Sequence, residues 1–360
     1  MLKILPHPSA TAPGARAALL ENPGFGKVFT DHMVTIQWTA ELGWHDARVR
    51  AREAFSLDPA AAVLHYAQEI FEGMKAYRTR DGGVALFRPL ENARRFARSA
   101  QRMAMPVLPD EMFLQAVEAL VDIDADWIPG GEGSLYLRPF MFASEAFLGV
   151  RPAAEYTFCV IACPVGAYFK GGSTAVTVWV SDDYSRAAAG GTGDAKCGGN
   201  YAASLLAQAE AVRHGCDQVV FLDAVEHRWI EELGGMNIFF VMDDDVLVTP
   251  PLGGTILPGI TRDSIIALAR DAGLTVQEAP YAFDQWRADA ASGRLREVFA
   301  CGTAAVVAAV GKVRHTGGEF VIGSGADGAI TERLRAQLTG IQRGERADPQ
   351  GWRHPVSSKA

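Results

Sequence analysis

"GGTGDAKCGGNYAASLLAQAEAVRHGCDQVVFLD" (residues 190–223) holds a glycine-rich loop, a helix expected from Tyr201 to His214, and the apolar strand "QVVFLD". The apolar run "AVTVWVSD" (175–182) precedes it as another strand. Strand, loop, helix and strand in succession point to a mixed α and β fold. Asn200 reads as the helix N-cap and Gly215 as its C′ residue. The loop is unusual in its lysine: Lys196 is one of seven in the chain, against 27 arginines, and five glycines surround it between residues 190 and 199.

Outward from this stretch, strands and helices alternate with several hairpins. "DHMVTIQWT" (31–39), "GGVALFRPL" (82–90), "SLYLRPFMFA" (134–143) and "YTFCVIACPVGAYF" (156–169) read as strands. "ENARRFARSAQRM" (91–103) places Ala93, Phe96, Ala97, Ala100 and Met103 on one helical stripe, and "DEMFLQAVEALVDIDADWI" (110–128) is a second amphipathic helix. Later come the hairpin "NIFFVMDDDVLVTPP", the helix "RDSIIALARDAG", two strands around Gly302 and a helix over 331–343. The fold class is α/β (mixed α+β). At 360 residues the chain exceeds one comfortable core, so two domains are expected. "KGGST" breaks the pattern, which divides the chain into 1–169, a linker at 170–176, and a larger second domain over 177–360.

A net charge of −8 argues against nucleic acid or an anionic membrane surface as partner. The five cysteines contain no C-x-x-C pair, so no zinc ribbon or other metal site is expected. Cys159 and Cys163 lie four apart on one strand, at about 13 Å, which is too far for a disulfide. Free thiols suit a reducing cytosol, and no segment reads as a leader or a membrane span, so a cytoplasmic protein is expected.

Four stretches carry groups suited to chemistry. A lysine held off the surface in "GGTGDAKCGG" can form a Schiff base with an aldehyde, whereas a lysine in an ordinary loop is simply solvated. In "ILPGITRDS" the N–H groups at Ile260 and Thr261, with the Thr261 hydroxyl, form a phosphate cradle or else a plainly capped helix. In "IEELGGMNIFF", Glu231 or Glu232 facing inward would need a partner such as a protonated ring nitrogen, because an unpaired buried charge is costly. "FACGTAA" offers N–H groups and the Thr303 hydroxyl to an anion. A lysine, anion sites and an acid are together what pyridoxal 5'-phosphate requires.

These blocks resemble the branched-chain amino acid aminotransferases, of the fold-type IV class of pyridoxal phosphate enzymes. The likeness rests on the opening stretch with "LHYAQEIFEGMKAYR", "SLYLRPFMFASEAFLGV", "CPVGAYFKGG", "EELGGMNIFFV", "ILPGITRDS", "EVFACGTAAVV" and "LTGIQRGERADPQGW", and runs from Phe25 to Trp352. It implies two domains with the cofactor between them. Lys196 would carry the Schiff base and shuttle the proton, and Glu232 would partner the pyridine nitrogen. Arg95, Ile260, Thr261 and Thr303 would bind the phosphate, with Tyr201 beside the cofactor. Tyr66 and the Thr303-Ala304 backbone would take the substrate carboxylate. Phe25, Phe71, Tyr136 and Tyr168 would line an apolar side-chain pocket. Arg138 would receive the γ-carboxylate of glutamate, and Val150 would come from the second subunit of a homodimer.

The resemblance also implies the reaction: transfer of an amino group between leucine, isoleucine or valine and 2-oxoglutarate. D-amino acid aminotransferase and aminodeoxychorismate lyase share the class, but "FEGMKAY" and "LYLRPF" favour the branched-chain group. A nucleotide-binding module is a weaker reading, since the loop fits neither G-x-x-x-x-G-K-[ST] nor G-x-G-x-x-G. Animal members carry a C-x-x-C pair where Ala305 and Ala308 stand here, so that form of thiol regulation is not expected.

Overall fold

Long apolar strands organise the chain, as seen in a computed structural model that describes residues 2–166 and 175–356. Glu155–Val165 is buried at nine of its eleven positions, because a strand at the middle of a covered sheet meets no water on either face. By backbone contacts the chain forms two compact units, Met1–Tyr168 with Ala195–Gly198 and Gly340–Ala360, and Phe169–Asp194 with Gly199–Thr339. Most of the linker expected at 170–176 lies outside the described residues, as does Tyr168.

In the first unit the strands pair in the spatial order Lys3–Ile4, Gly43–Ala51, His32–Thr39, Glu155–Val165, Ser134–Ala143, Met74–Arg78, Val84–Phe87 and Arg353–Pro355. Glu69–Phe71 adds to Ser134–Ala143. Only the first pair is parallel. One face is covered by the helices Pro89–Arg102 and Asp110–Ile123, whose Phe96 and Phe113 meet Phe158 at ring-centroid distances of 5.5 and 6.0 Å. Side chains alternate across a strand, so Leu135 and Leu137 join that core while Tyr136 points to the opposite face, with Cys163 and Val165.

The second unit has the order Ile230–Leu233, Gln218–Leu222, Val176–Ser181, Val306–His315, Leu295–Gly302, Asn237–Met242, Val246–Thr249 and Thr275–Glu278, with Gly318–Val321 on Val306–His315. Val176–Ser181 and Gln218–Leu222 run parallel, as a strand–helix–strand crossover requires. Both sheets are mixed, and the α/β (mixed α+β) expectation holds. Among the described residues, no helix is long and apolar enough to cross a membrane.

The structure corrects three details of the sequence reading. The helix expected from Tyr201 begins at Gly198, where the Gly198 N–H donates to the Glu69 carboxylate. Asn200 is therefore inside the helix and does not cap it; its side chain ties back to Thr192, accepting from the hydroxyl and donating to the carbonyl, both at 2.7 Å. Lys196, expected in the second domain, packs with the first unit, as do the last residues from Gly340.

Candidate active site

The lysine loop is held by its backbone. The Lys196 N–H donates to Ser99 Oγ at 2.9 Å, and its carbonyl accepts from the Phe71 N–H at 2.9 Å. Two residues on, a Cβ at Gly198 would strike the Glu69 carboxylate, so a side chain there would have to push aside the group that accepts the Gly198 N–H. Pinned on both sides, the half-buried lysine directs Nζ to a point 4.9 Å from the Phe71 ring centroid.

Ser99 belongs to a stripe that apolar periodicity does not reveal. On the helix Pro89–Arg102, Asn92, Arg95 and Ser99 are buried beside the apolar stripe, while Arg94 and Arg98 are not. Arg95 makes a two-pronged pair with Glu72, Nε to Oε1 and Nη2 to Oε2, both at 2.8 Å, and the Asn92 amide donates to Oε2 at 2.8 Å. Burial alone would raise the fully buried Glu72 carboxyl, but Arg95, Lys196 and Asn92 outweigh it and hold it below the usual carboxylate range. Two of the five guanidinium N–H groups of Arg95 thus serve an internal acid.

Around Phe71 gather three more of the expected residues. The Arg138 guanidinium stacks 4.6 Å from the Phe71 ring and donates from Nη2 to the Tyr136 hydroxyl at 3.0 Å. Tyr136 meets Phe25 edge to face at 5.2 Å. A Cβ at Gly73 would collide with the Tyr136 hydroxyl, so glycine there leaves room for the phenol. Arg138 Nε is buried with no hydrogen-bond partner among the described residues, which suits an incoming anion. Tyr66 and Val150 are not drawn into this group: the Tyr66 hydroxyl donates to the Leu148 carbonyl, and Val150 is 90% exposed.

In the second unit Glu231 and Glu232 are both buried on the strand Ile230–Leu233, with different surroundings. Glu232 Oε1 meets Arg186 Nη2 at 2.5 Å and accepts from the Leu257 N–H at 3.0 Å, and Oε2 accepts from Asn237 Nδ2 at 3.4 Å. The counter-charge expected from a ring nitrogen is therefore supplied in part by the chain itself. Burial, reinforced by Asp223, pushes the Glu231 carboxyl above its usual range against Thr255 and Arg186, and its Oε2 has no hydrogen-bond partner among the described residues.

Asn237 links this acid to the anion sites. Its amide also donates to the Leu257 carbonyl at 3.1 Å, and a Cβ at Gly259 would strike its Oδ1. Gly259, not Thr261, is the N-cap of the helix Ile260–Asp271, with no side-chain cap, so Ile260 and Thr261 stand in a first turn whose N–H groups suit a phosphate. Asn237 pairs with Cys301, which puts the Thr303-Ala304 turn beside Gly235 and Met236. Tyr201 lies 3.7 Å from where a Gly235 Cβ would stand. Val306, β-branched at φ +62°, closes that turn in a conformation uncommon outside glycine, the kind of backbone strain that gathers at functional sites.

The family described as "Amino-transferase class IV" matches residues 69–313. A probable branched-chain-amino-acid aminotransferase of Streptomyces coelicolor is 57% identical over 99% of this chain and 98% of its own. The branched-chain-amino-acid aminotransferase of Mycobacterium tuberculosis is 57% identical over 94% of this chain and 93% of its own. The crystal structure of the T.th. branched-chain amino acid aminotransferase complexed with N-(5'-phosphopyridoxyl)-L-glutamate superposes at a TM-score of 0.73, with 31% identity over 89% of this chain and 98% of that one. The chain belongs to the branched-chain amino acid aminotransferases of class IV.

Within this aminotransferase fold the unforeseen residues are those that hold the others. Glu72 carries a signal in hindsight, a carboxylate inside the apolar run "EIFEGMKAY". Arg186 carries none, since an arginine in "DDYSRAAAGG" looks like any loop cation. Its guanidinium nevertheless gathers Glu232, the Gly193 carbonyl at 2.8 Å and the Thr255 carbonyl at 2.5 Å.

Proposed function

We propose that the chain binds pyridoxal 5'-phosphate and moves an amino group between leucine, isoleucine or valine and 2-oxoglutarate, giving branched-chain 2-oxo acids and glutamate. The observation that carries this reading is the placement of Lys196, fixed through its backbone with Nζ beside Phe71 and the Arg138–Tyr136 pair close by. The donor set also fits the cofactor: one amine, a buried acid, and an uncapped helix start beyond Gly259.

When bound, the cofactor supplies an electron-accepting ring that makes the substrate α-proton removable. Lys196 Nζ holds the cofactor and then takes and returns that proton. Glu232, paired with Arg186, keeps a proton on the ring nitrogen. Ile260 and Thr261 give the phosphate N–H and hydroxyl donors, joined by Thr303 and Arg95, and Tyr201 flanks the ring. Phe25, Phe71 and Tyr136 exclude water from the aliphatic side chain, Arg138 accepts the γ-carboxylate of glutamate, and Tyr66 with Thr303-Ala304 holds the α-carboxylate. Leu64, Tyr66, Leu148 and Val150 are exposed apolar residues, which supports a homodimer in which Val150 reaches the second subunit's site. Five free, buried cysteines support a reducing, cytoplasmic setting.

Purified protein is expected to be yellow, with an absorption band lost on borohydride reduction. Lys196→Ala should lower transamination of L-leucine by more than about 10³-fold, since a positioned proton-transfer group is worth roughly 10²–10⁴ and the covalent anchor is lost with it. Protein that stays colourless with added cofactor, or near-normal turnover in the variant, would sink the reading.

A further inference from the structure

The sheet face that carries Tyr136 also carries a second cation. Lys75 lies directly opposite Tyr136 across the Met74–Arg78 and Ser134–Ala143 pair, and Cys163 lies opposite Tyr136 on its other side. Directly opposed residues share a face with Cβ atoms about 5 Å apart. Arg138 stands two residues along from Tyr136, hence on that same face, with Nη2 on the phenol oxygen. The two cations therefore flank one tyrosine, and the Cys163 thiol feels both of them. Lys75, Tyr136 and Cys163 are all buried, at 7%, 8% and 5% exposure.

An ammonium in such a place is costly. Burial first, and then the like charge of Arg343, push Lys75 down to about 8, against a weak opposing pull from Cys163. It remains largely protonated at neutral pH, and a core position with no chemical duty would be better filled by methionine or leucine. An aminotransferase pocket that must alternate between an isobutyl and a carboxyethyl side chain has a use for this residue. Four methylenes can lie along an aliphatic group, and the ammonium at their end can meet a carboxylate.

We propose that Lys75 is a specificity-determining residue: with Arg138 it receives the distal carboxylate of glutamate and 2-oxoglutarate, while its stem packs with Phe71 and Tyr136 against branched aliphatic side chains. This rests on the proposed function. Two cations on one carboxylate would explain how a largely apolar pocket accepts an anion.

The test compares kcat/KM for 2-oxoglutarate with kcat/KM for 4-methyl-2-oxopentanoate in the cofactor-loaded enzyme. Lys75→Met and Lys75→Gln should lower the ratio at least tenfold, through KM for 2-oxoglutarate, and Lys75→Arg should restore most of it. A ratio unchanged within twofold in both neutral variants would overturn the proposal, as would an equal loss on both substrates. Failure of both neutral variants to fold while Lys75→Arg folds would assign the cation to the core and overturn it too. A wild-type chain inactive on both oxo acids overturns the parent reading; a wild-type chain active on both with an unmoved ratio overturns this inference alone.

Discussion

Glu231 and Glu232 differ by one position and by the whole of their surroundings. Adjacent strand residues face opposite ways, so only one of them meets the Arg186 guanidinium, the Leu257 N–H and the Asn237 amide together. Arg186 has few substitutes, because its planar fork reaches Glu232 and two carbonyls at once. Arg186→Met should leave Glu232 buried without its cation and cost about 3–5 kcal/mol, as breaking a buried pair from one side does. Thermal unfolding and cofactor retention measure this; an unchanged midpoint would show that Glu232 has another sufficient partner. At this scale Lys196 was legible, since a scarce lysine among glycines asks for an explanation. Arg186 was not, because its meaning lies chiefly in groups far along the chain, at Glu232 and Thr255.

Elements carry the site through faces that hydrophobic periodicity half describes. The helix Pro89–Arg102, expected over 91–103 for its apolar stripe, does send Ala93, Phe96 and Ala100 into the core. Its second stripe of Asn92, Arg95 and Ser99 holds Glu72 and the Lys196 backbone, and a polar residue in a sequence reads as solvated until its partner is known. The helix Ile260–Asp271 depends on Gly259 for a different reason, close approach to Asn237. Gly259→Ala should therefore displace an amide that holds both Glu232 and Leu257, costing about 1–3 kcal/mol, the usual range for overpacking. Gly235→Ala, whose methyl would meet Tyr201 at an ordinary 3.7 Å, should stay within about 0.5 kcal/mol. Denaturant titration of both variants decides; equal losses would refute the packing argument.

For the whole molecule, assembly turns on one exposed apolar patch. Leu148 and Val150 are 62% and 90% exposed, yet neither is suited to water. Val150→Asp should cost the isolated fold little, since surface changes usually stay within about 0.5 kcal/mol. If the homodimer forms through this patch, light scattering should show the variant at half the wild-type mass, with transamination lost. Wild-type protein already at 38.6 kDa in solution would remove the dimer from the reading.

By itself the sequence determined the mixed class of the fold and many of its longer strands and helices, though not Gly43–Ala51, Met74–Arg78 or Phe283–Ser292, and it singled out the lysine, the paired glutamates and the turn before Ile260 as groups suited to chemistry. Those follow from local physics: periodicity, glycine freedom and the cost of burying charge act within a few neighbouring residues. Only the tertiary structure decided which glutamate has Arg186 as its partner, that Arg95 is tied to Glu72, that the helix after Lys196 begins at Gly198, and that Lys75 and Arg138 flank one tyrosine. Each of these is a contact between distant segments, set by register and packing, and a buried polar group acquires its role only when its partner arrives.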